Sequence, residues 1–188
     1  SVDEHSRHDV VALVRRAEGE ALSTRALDAL VQPRMLSAAV VLPLQLPDGT
    51  ACVLKLQALS PTSAADVRSG RSEAQMHAQL SAVGVAPRLV AVGVVDAREL
   101  PPFCAARRAM KRSLGDAACA LAMVSVRGAS LLDSARSGTP DDVLALAHGV
   151  LKSLATMHRL SLVHGDVKPT NCVLVDGRVR QIDFGTAQ

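Results

Sequence analysis

The chain has 188 residues, 48% of them hydrophobic, and its 21 basic and 18 acidic side chains leave a net charge of +3. That apolar content is enough to bury a core, which excludes a wholly disordered chain and leaves room for one domain or for two lobes. The charge is too mild to argue for a nucleic-acid partner, and none is expected.

From Asp9 to Glu18 the residues Val10, Leu13, Val14 and Ala17 recur at helical spacing, which predicts a short amphipathic helix. A second short helix is expected over Thr24 to Leu30, with Ser23 as a cap and Pro33 as its stop. Two strands follow, Ala38 to Leu46 and Thr50 to Gln57, flanking Pro47-Asp48-Gly49, whose Asp-Gly pair signals a hairpin. A helix over Ala64 to Ala82 and a third strand over Arg88 to Val95 come next.

Asp96 to Ala118 reads as an exposed polar insertion with a basic cluster, Arg107, Arg108, Lys111 and Arg112, that is either a solvated face or a site for an acidic partner. Cys119 to Val126 predicts a fourth strand, and Gly128-Ala129 a turn. The clearest helix starts at Thr139-Pro140-Asp141-Asp142, where Thr caps, Pro suits the first helical position and the acids face the positive end of the dipole. Val143, Ala147, Val150, Leu151 and Leu154 are expected to form its apolar stripe. Asp176-Gly177 then joins two short strands, Cys172 to Val175 and Arg178 to Ile182.

Cys52, Cys104, Cys119 and Cys172 form no CxxC pair and have no histidines at zinc-ligand spacing, so they read as reduced thiols. The N-terminus has no signal-peptide core, and no run approaches about eighteen apolar residues. An intracellular protein, cytoplasmic or nuclear and without a membrane partner, is expected.

The chemistry is concentrated near the end. HGDVKPTN, His164 to Asn171, is followed by IDFG, Ile182 to Gly185. Phosphoryl transfer needs positioned charge more than covalent chemistry: a base at the acceptor hydroxyl, cations on the phosphates, and oxygen ligands for magnesium. These blocks supply that set, and together they resemble the catalytic loop H-R-D-x-K-P-x-N and the D-F-G motif of the protein kinase superfamily.

The resemblance implies an α+β, bilobal protein kinase-like fold, with an antiparallel N-lobe sheet, an αC helix and the first part of a helical C-lobe. Residues 1–37 would be a helical extension, 38–126 the N-lobe with an insertion at 96–118, and 127–188 the start of the C-lobe, cut after D-F-G. By the same resemblance Asp166 accepts or orients the acceptor hydroxyl and Lys168 steadies the transferred phosphate. Asn171 and Asp183 hold magnesium. Lys55, in Val53-Leu54-Lys55, is similar to the nucleotide-binding lysine, and Glu73, in SEAQMHAQL, to its αC partner. LAMVSVRGASLLD is similar to the hinge, with Met123 as gatekeeper and the backbone of Val124 and Val126 against adenine. Phe184 would pack under the long helix.

Two departures bear on function. No G-x-G-x-x-G precedes the first strands, the equivalent stretch being QPRMLSAA, Gln32 to Ala39, which leaves weak, altered or absent ATP binding open. Gly165 replaces the Arg of H-R-D, so control by a phosphorylated activation loop is not expected. The leading expectation is an ATP- and Mg2+-dependent serine/threonine protein kinase-like phosphotransferase with a protein substrate. The alternatives are a pseudokinase scaffold and a kinase for a sugar, lipid or aminoglycoside.

Overall fold

The computed structural model describes residues 12–13, 39–46, 48–58, 64–100, 107 and 119–188. Ala12 and Leu13 are helical, but the rest of the first expected helix, all of the second, the glycine-free stretch up to residue 38 and most of the basic insertion lie outside the described residues. The chain divides into two compact units, Ser1–Arg71 with Val90–Val126, and Ser72–Leu89 with Arg127–Gln188.

The first unit is built on a sheet whose first two strands have side chains that alternate in burial. Strands β1 (Ala39–Gln45) and β2 (Ala51–Ala58) pair antiparallel across the expected hairpin, where Thr50 N–H donates to Asp48 Oδ1 at 2.8 Å and Leu46 N–H to Thr50 O at 2.9 Å. β2 pairs antiparallel with β4 (Cys119–Val126), and β3 (Leu89–Asp96) completes a sheet of order β1-β2-β4-β3. Leu42, Leu44, Cys52, Leu54, Leu56, Ala120, Ala122 and Val124 share one face and, with Leu46, Val95 and Leu100, make its core. The period of two along β1 and β2 is what the pleat demands of strands packed on one face, whereas β4 is buried on both faces from Ala120 to Val124. Lys55, Val41 and Met123 lie in register on the other face.

The second unit is helical, with a small sheet. Helix α1 (Ala64–Ala82), which spans the division between the units, has the predicted limits, and its C-terminal half belongs here. β5 (Ala129–Ser130) pairs with β6 (Cys172–Val175), which pairs with β7 (Arg178–Gln181). Asp176 and Gly177, at φ +51° and +68°, form the two-residue turn between β6 and β7, both in the left-handed region that a tight hairpin of this hand requires. Leu80, Val85, Ala86, Met157 and Phe184 form the core.

Two expectations for this region are corrected. Gly128-Ala129 is not a plain turn, because Ala129 and Ser130 form β5. Ser130 then caps helix α2 (Leu131–Ser137), accepting from Asp133 N–H at 3.3 Å; the S-x-x-D spacing carried that signal. Helix α3 (Pro140–Arg159) starts where predicted, and Thr139 and Asp142 close a reciprocal capping box.

The apolar stripe of α3 is only partly where expected, since Val150 and Leu154 are half-buried but Val143, Ala147 and Leu151 are exposed. Its buried positions are Ser153 and Met157, with Leu146, Val150 and Leu154 half-buried. The partner element decides this: β7 lies so close that a Cβ on Gly149 would meet Val179 Cγ2 at 2.6 Å. A small residue, Gly149, and a polar one, Ser153, therefore share the inward face with Val150, Leu154 and Met157. Hydrophobicity counted along the helix does not reveal that preference.

Candidate active site

The site in the second unit is assembled from three stretches of backbone that α3 and the β6–β7 hairpin hold together. His164 is 1% exposed. Its Nε2 lies 3.1 Å from Ile182 O, and its Nδ1 accepts Asp166 N–H at 3.4 Å. A carbonyl can only accept and an amide can only donate, so the ring is neutral with its proton on Nε2. This one side chain ties the start of the His164–Asn171 loop to the residue before Asp183.

Gly165 sits at φ +79°, and a Cβ there would lie 2.8 Å from Thr186 O. The segment after Phe184 is drawn in by Thr186 Oγ1, which donates to His164 O at 3.0 Å, and by paired backbone bonds between Val163 and Gln188 at 2.8 and 3.0 Å. Glycine at this position is thus a packing requirement as well as a conformational one.

Asp166 is the centre of the loop's polar contacts. Its Oδ2 accepts Lys168 Nζ at 2.6 Å and Asn171 Nδ2 at 2.9 Å, and the same amide donates to Asp166 O at 3.0 Å. The Lys168 ammonium holds the Asp166 carboxyl below its ordinary range; partial desolvation works against this, and the Asn171 amide adds to the lowering. Asp166 and Lys168 remain about two-fifths exposed, at 40% and 43% of their side chains. Asn171 is buried, aimed by a 3-10 turn over Pro169–Asn171 in which its N–H donates to Lys168 O at 2.9 Å.

Ile182 N–H donates to Asn171 O at 2.9 Å, so the strand leading to Asp183 runs beside the loop. Asp183 adopts φ +66°, a left-handed conformation that a non-glycine residue holds only where its surroundings over-determine it. Phe184, 2% exposed, packs with Met157 of α3 and Leu80 of α1. It meets His77 edge-on at 5.7 Å and His164 tilted at 5.2 Å. Glu73 is buried on α1, with Oε2 3.9 Å from where a Cβ on Gly185 would stand.

The remaining predicted residues belong to the first unit. Lys55 is half-buried on β2, opposite Met123 on one side and Val41 on the other. Met123 is 3% exposed, on a strand that lies inside the sheet and not at its edge. Val124 and Val126 stay in the ladder, opposite Leu54 and Cys52, so β4 runs on through the segment read as a hinge. Arg107 is half-buried, and its guanidinium donates to Leu100 O at 3.2 Å. Arg108, Lys111 and Arg112 lie outside the described residues.

Residues that motif reading did not single out also bear on the site. His77 contributes a ring to Phe184 from a helix face that carried no signal for it. Gln181, fully buried, binds Cys172 and Ser153, which sequence separation concealed.

Among the described residues no group of three or more His, Cys, Asp or Glu side chains gathers to hold a metal, and no helix is long and apolar enough to cross a membrane. Cys119 and Cys172 are free thiols.

No family model matches the chain. Its similarities are local. It is 41% identical over 59 residues to a "probable serine/threonine-protein kinase" of Streptomyces coelicolor, covering 31% of this chain and 9% of that one. It is 35% identical over 105 residues to the serine/threonine-protein kinase PknA of Corynebacterium glutamicum, covering 52% and 19%. A third match, 43% over 47 residues, is to the serine/threonine-protein kinase TAO3 of Rattus norvegicus, covering 24% and 5%. The chain thus spans less than a fifth of each of these relatives. The matches support the protein kinase superfamily and a kinase-like function. The α+β architecture, an antiparallel sheet followed by helices, is consistent with a kinase N-lobe and the beginning of a helical lobe.

Proposed function

We propose that this chain supplies the catalytic loop of a phosphotransferase that moves the γ-phosphate of Mg-ATP to a serine or threonine hydroxyl of a protein. The observation that carries the reading is the Asp166 carboxylate with both Lys168 Nζ and Asn171 Nδ2 on its Oδ2. Two donors on one oxygen fix the carboxylate's orientation and leave its other oxygen, Oδ1, for the hydroxyl proton. The lowered pKa keeps that carboxylate ionised, as a proton acceptor must be.

The donor set fits magnesium. Asn171 spends its amide nitrogen on Asp166, which turns its carbonyl oxygen to other partners, and Asp183 adds hard carboxylate oxygens. Bound there, the ion would neutralise charge on the phosphates.

The other roles belong to the chain's own residues. Asp166 orients the acceptor hydroxyl and receives its proton. Lys168, already within reach of Asp166, steadies the transferred phosphoryl oxygens. Lys55 is assigned to the α- and β-phosphates, and Met123 with the backbone of Val124 and Val126 to the adenine side. The similarity to serine/threonine-protein kinases favours a protein acceptor.

The test is transfer of label from ATP to a protein mixture and, separately, to a metabolite extract, with wild type and Asp166→Ala. Asp166→Ala is expected to lower the rate by about 10²- to 10⁴-fold; an unchanged rate removes Asp166 from this role. Label entering only the metabolites would redirect the reading to a small-molecule kinase. Mg-ATP at 100 times its Kd is expected to stabilise the protein by about 2.7 kcal/mol, and no thermal shift at millimolar Mg-ATP would favour a scaffold without catalysis.

A further inference from the structure

Beneath the catalytic loop runs a buried polar chain that phosphoryl transfer does not itself require. Ser153 on α3 donates its hydroxyl to Val150 O at 2.8 Å and accepts Gln181 Nε2 at 2.7 Å. Gln181 Oε1 in turn lies 3.2 Å from Cys172 Sγ, and the same sulfur lies 3.4 Å from Lys168 O. Gln181 is 0% exposed, Cys172 2% and Ser153 7%. Three polar side chains have been taken out of water in the interior of the unit and satisfied by one another and by two backbone carbonyls.

The direction of each bond is determined. Val150 O and Lys168 O can only accept, so the serine hydroxyl and the thiol are both donors. Ser153 has therefore spent its proton and must receive from the glutamine amide, which turns Gln181 Oε1 toward the thiol, whose single proton is shared between Oε1 and Lys168 O. The last acceptor, Lys168 O, also receives Asn171 N–H at 2.9 Å and closes the turn that aims Asn171 at Asp166.

We infer that Gln181 is a positioning residue: through the Cys172 thiol it clamps the Lys168 carbonyl to helix α3, and so sets where Asn171 and Lys168 stand around Asp166. This rests on the phosphotransferase reading for its consequence in catalysis, but not for the clamp itself. A leucine at position 181 would fill a similar volume and leave Ser153 bonded to Val150 O. The thiol would then lose one of its two acceptors and the loop its link to the helix. Because Asn171 is proposed as a metal ligand, loosening its support should weaken magnesium binding by about 10- to 100-fold, the range seen when outer partners of metal ligands are removed.

The experiment compares wild type, Gln181→Leu, Cys172→Ala and Cys172→Ser by amide hydrogen exchange without nucleotide, and by titration with Mg-ATP. The Asn171 amide is expected to exchange at least about tenfold faster in Gln181→Leu and Cys172→Ala, while amides in the middle of α3 keep their protection. Cys172→Ser, which keeps a donor, is expected to restore most of the Asn171 protection. Magnesium dependence should weaken in the first two variants and recover in the third. Wild-type exchange at Asn171 in Gln181→Leu overturns the clamp; so does an equal loss of protection in α3, which would make the network merely structural. Should Gln181→Leu fail to fold, the alanine and serine variants at Cys172 decide the matter by the same amide. Failure of wild type to bind Mg-ATP would count against the phosphotransferase reading and leave the exchange result standing.

Discussion

Substituting Gly165 by alanine separates two effects that are usually confounded. The backbone there is at φ +79°, and an alanine Cβ would stand 2.8 Å from Thr186 O and 3.0 Å from Thr186 Oγ1. A left-handed conformation costs an L-residue about 1–2 kcal/mol. Moving Thr186 aside forfeits its bond to His164 O, worth about 1 kcal/mol. Against these, alanine restricts the unfolded chain, returning about 0.4–1 kcal/mol.

The balance is a loss of about 2 kcal/mol, or about 4–8 °C in Tm for a chain of this size. Gly177→Ala is the control, because Gly177 has φ +68° with nothing within 4 Å of its Cβ. It should carry the conformational cost alone, about half as much or less. Denaturant midpoints of the two variants, with Thr186→Val as a third, measure the difference. If Gly165→Ala proves no more costly than Gly177→Ala, the close approach of Thr186 is not a constraint and the argument for glycine at this position fails.

Three further outcomes are expected. Since Lys168 is the main cause of the lowered Asp166 pKa, Lys168→Met should raise the carboxyl's titration midpoint, followed by carbon NMR. The stability contributed by this pair is present above the ordinary carboxylate pKa of about 3.9 and is lost as pH falls through the lower folded value. Gly149→Ala should destabilise the protein despite alanine's better helix propensity, because its Cβ would meet Val179 Cγ2 at 2.6 Å, and adding Val179→Ala should recover much of the loss; strict additivity in a double-mutant cycle would refute the contact. Thr139→Ala should cost about 1 kcal/mol in a denaturation assay, the usual value of such a cap, and should raise the Asp142 pKa, which the Thr139 hydroxyl and backbone N–H now hold down.

Legibility followed the range of the interaction involved. The helix over Ala64–Ala82, the strand over Cys119–Val126 and the start of α3 at Pro140 were readable because periodicity, caps and turn pairs act within a few residues. The bond from Asn171 to Asp166 follows from two residues of one motif. The stripe on α3 was partly misjudged, because which of its faces is inward depends on β7, about thirty residues further along the chain. No local pattern marks Ser153 as a partner of Gln181.

The amino-acid sequence by itself determined which elements form and which chemical groups crowd into the stretch from His164 to Gly185. Its order of donors and carboxylates is dictated by covalent spacing. Tertiary structure alone decided that His164 is a neutral bridge to Ile182, that Gly165 has no room for a side chain, and that a buried glutamine joins the loop to a helix. Those outcomes depend on desolvation and on distances of a few ångströms between segments remote in the chain, and covalent order does not encode either in any short window.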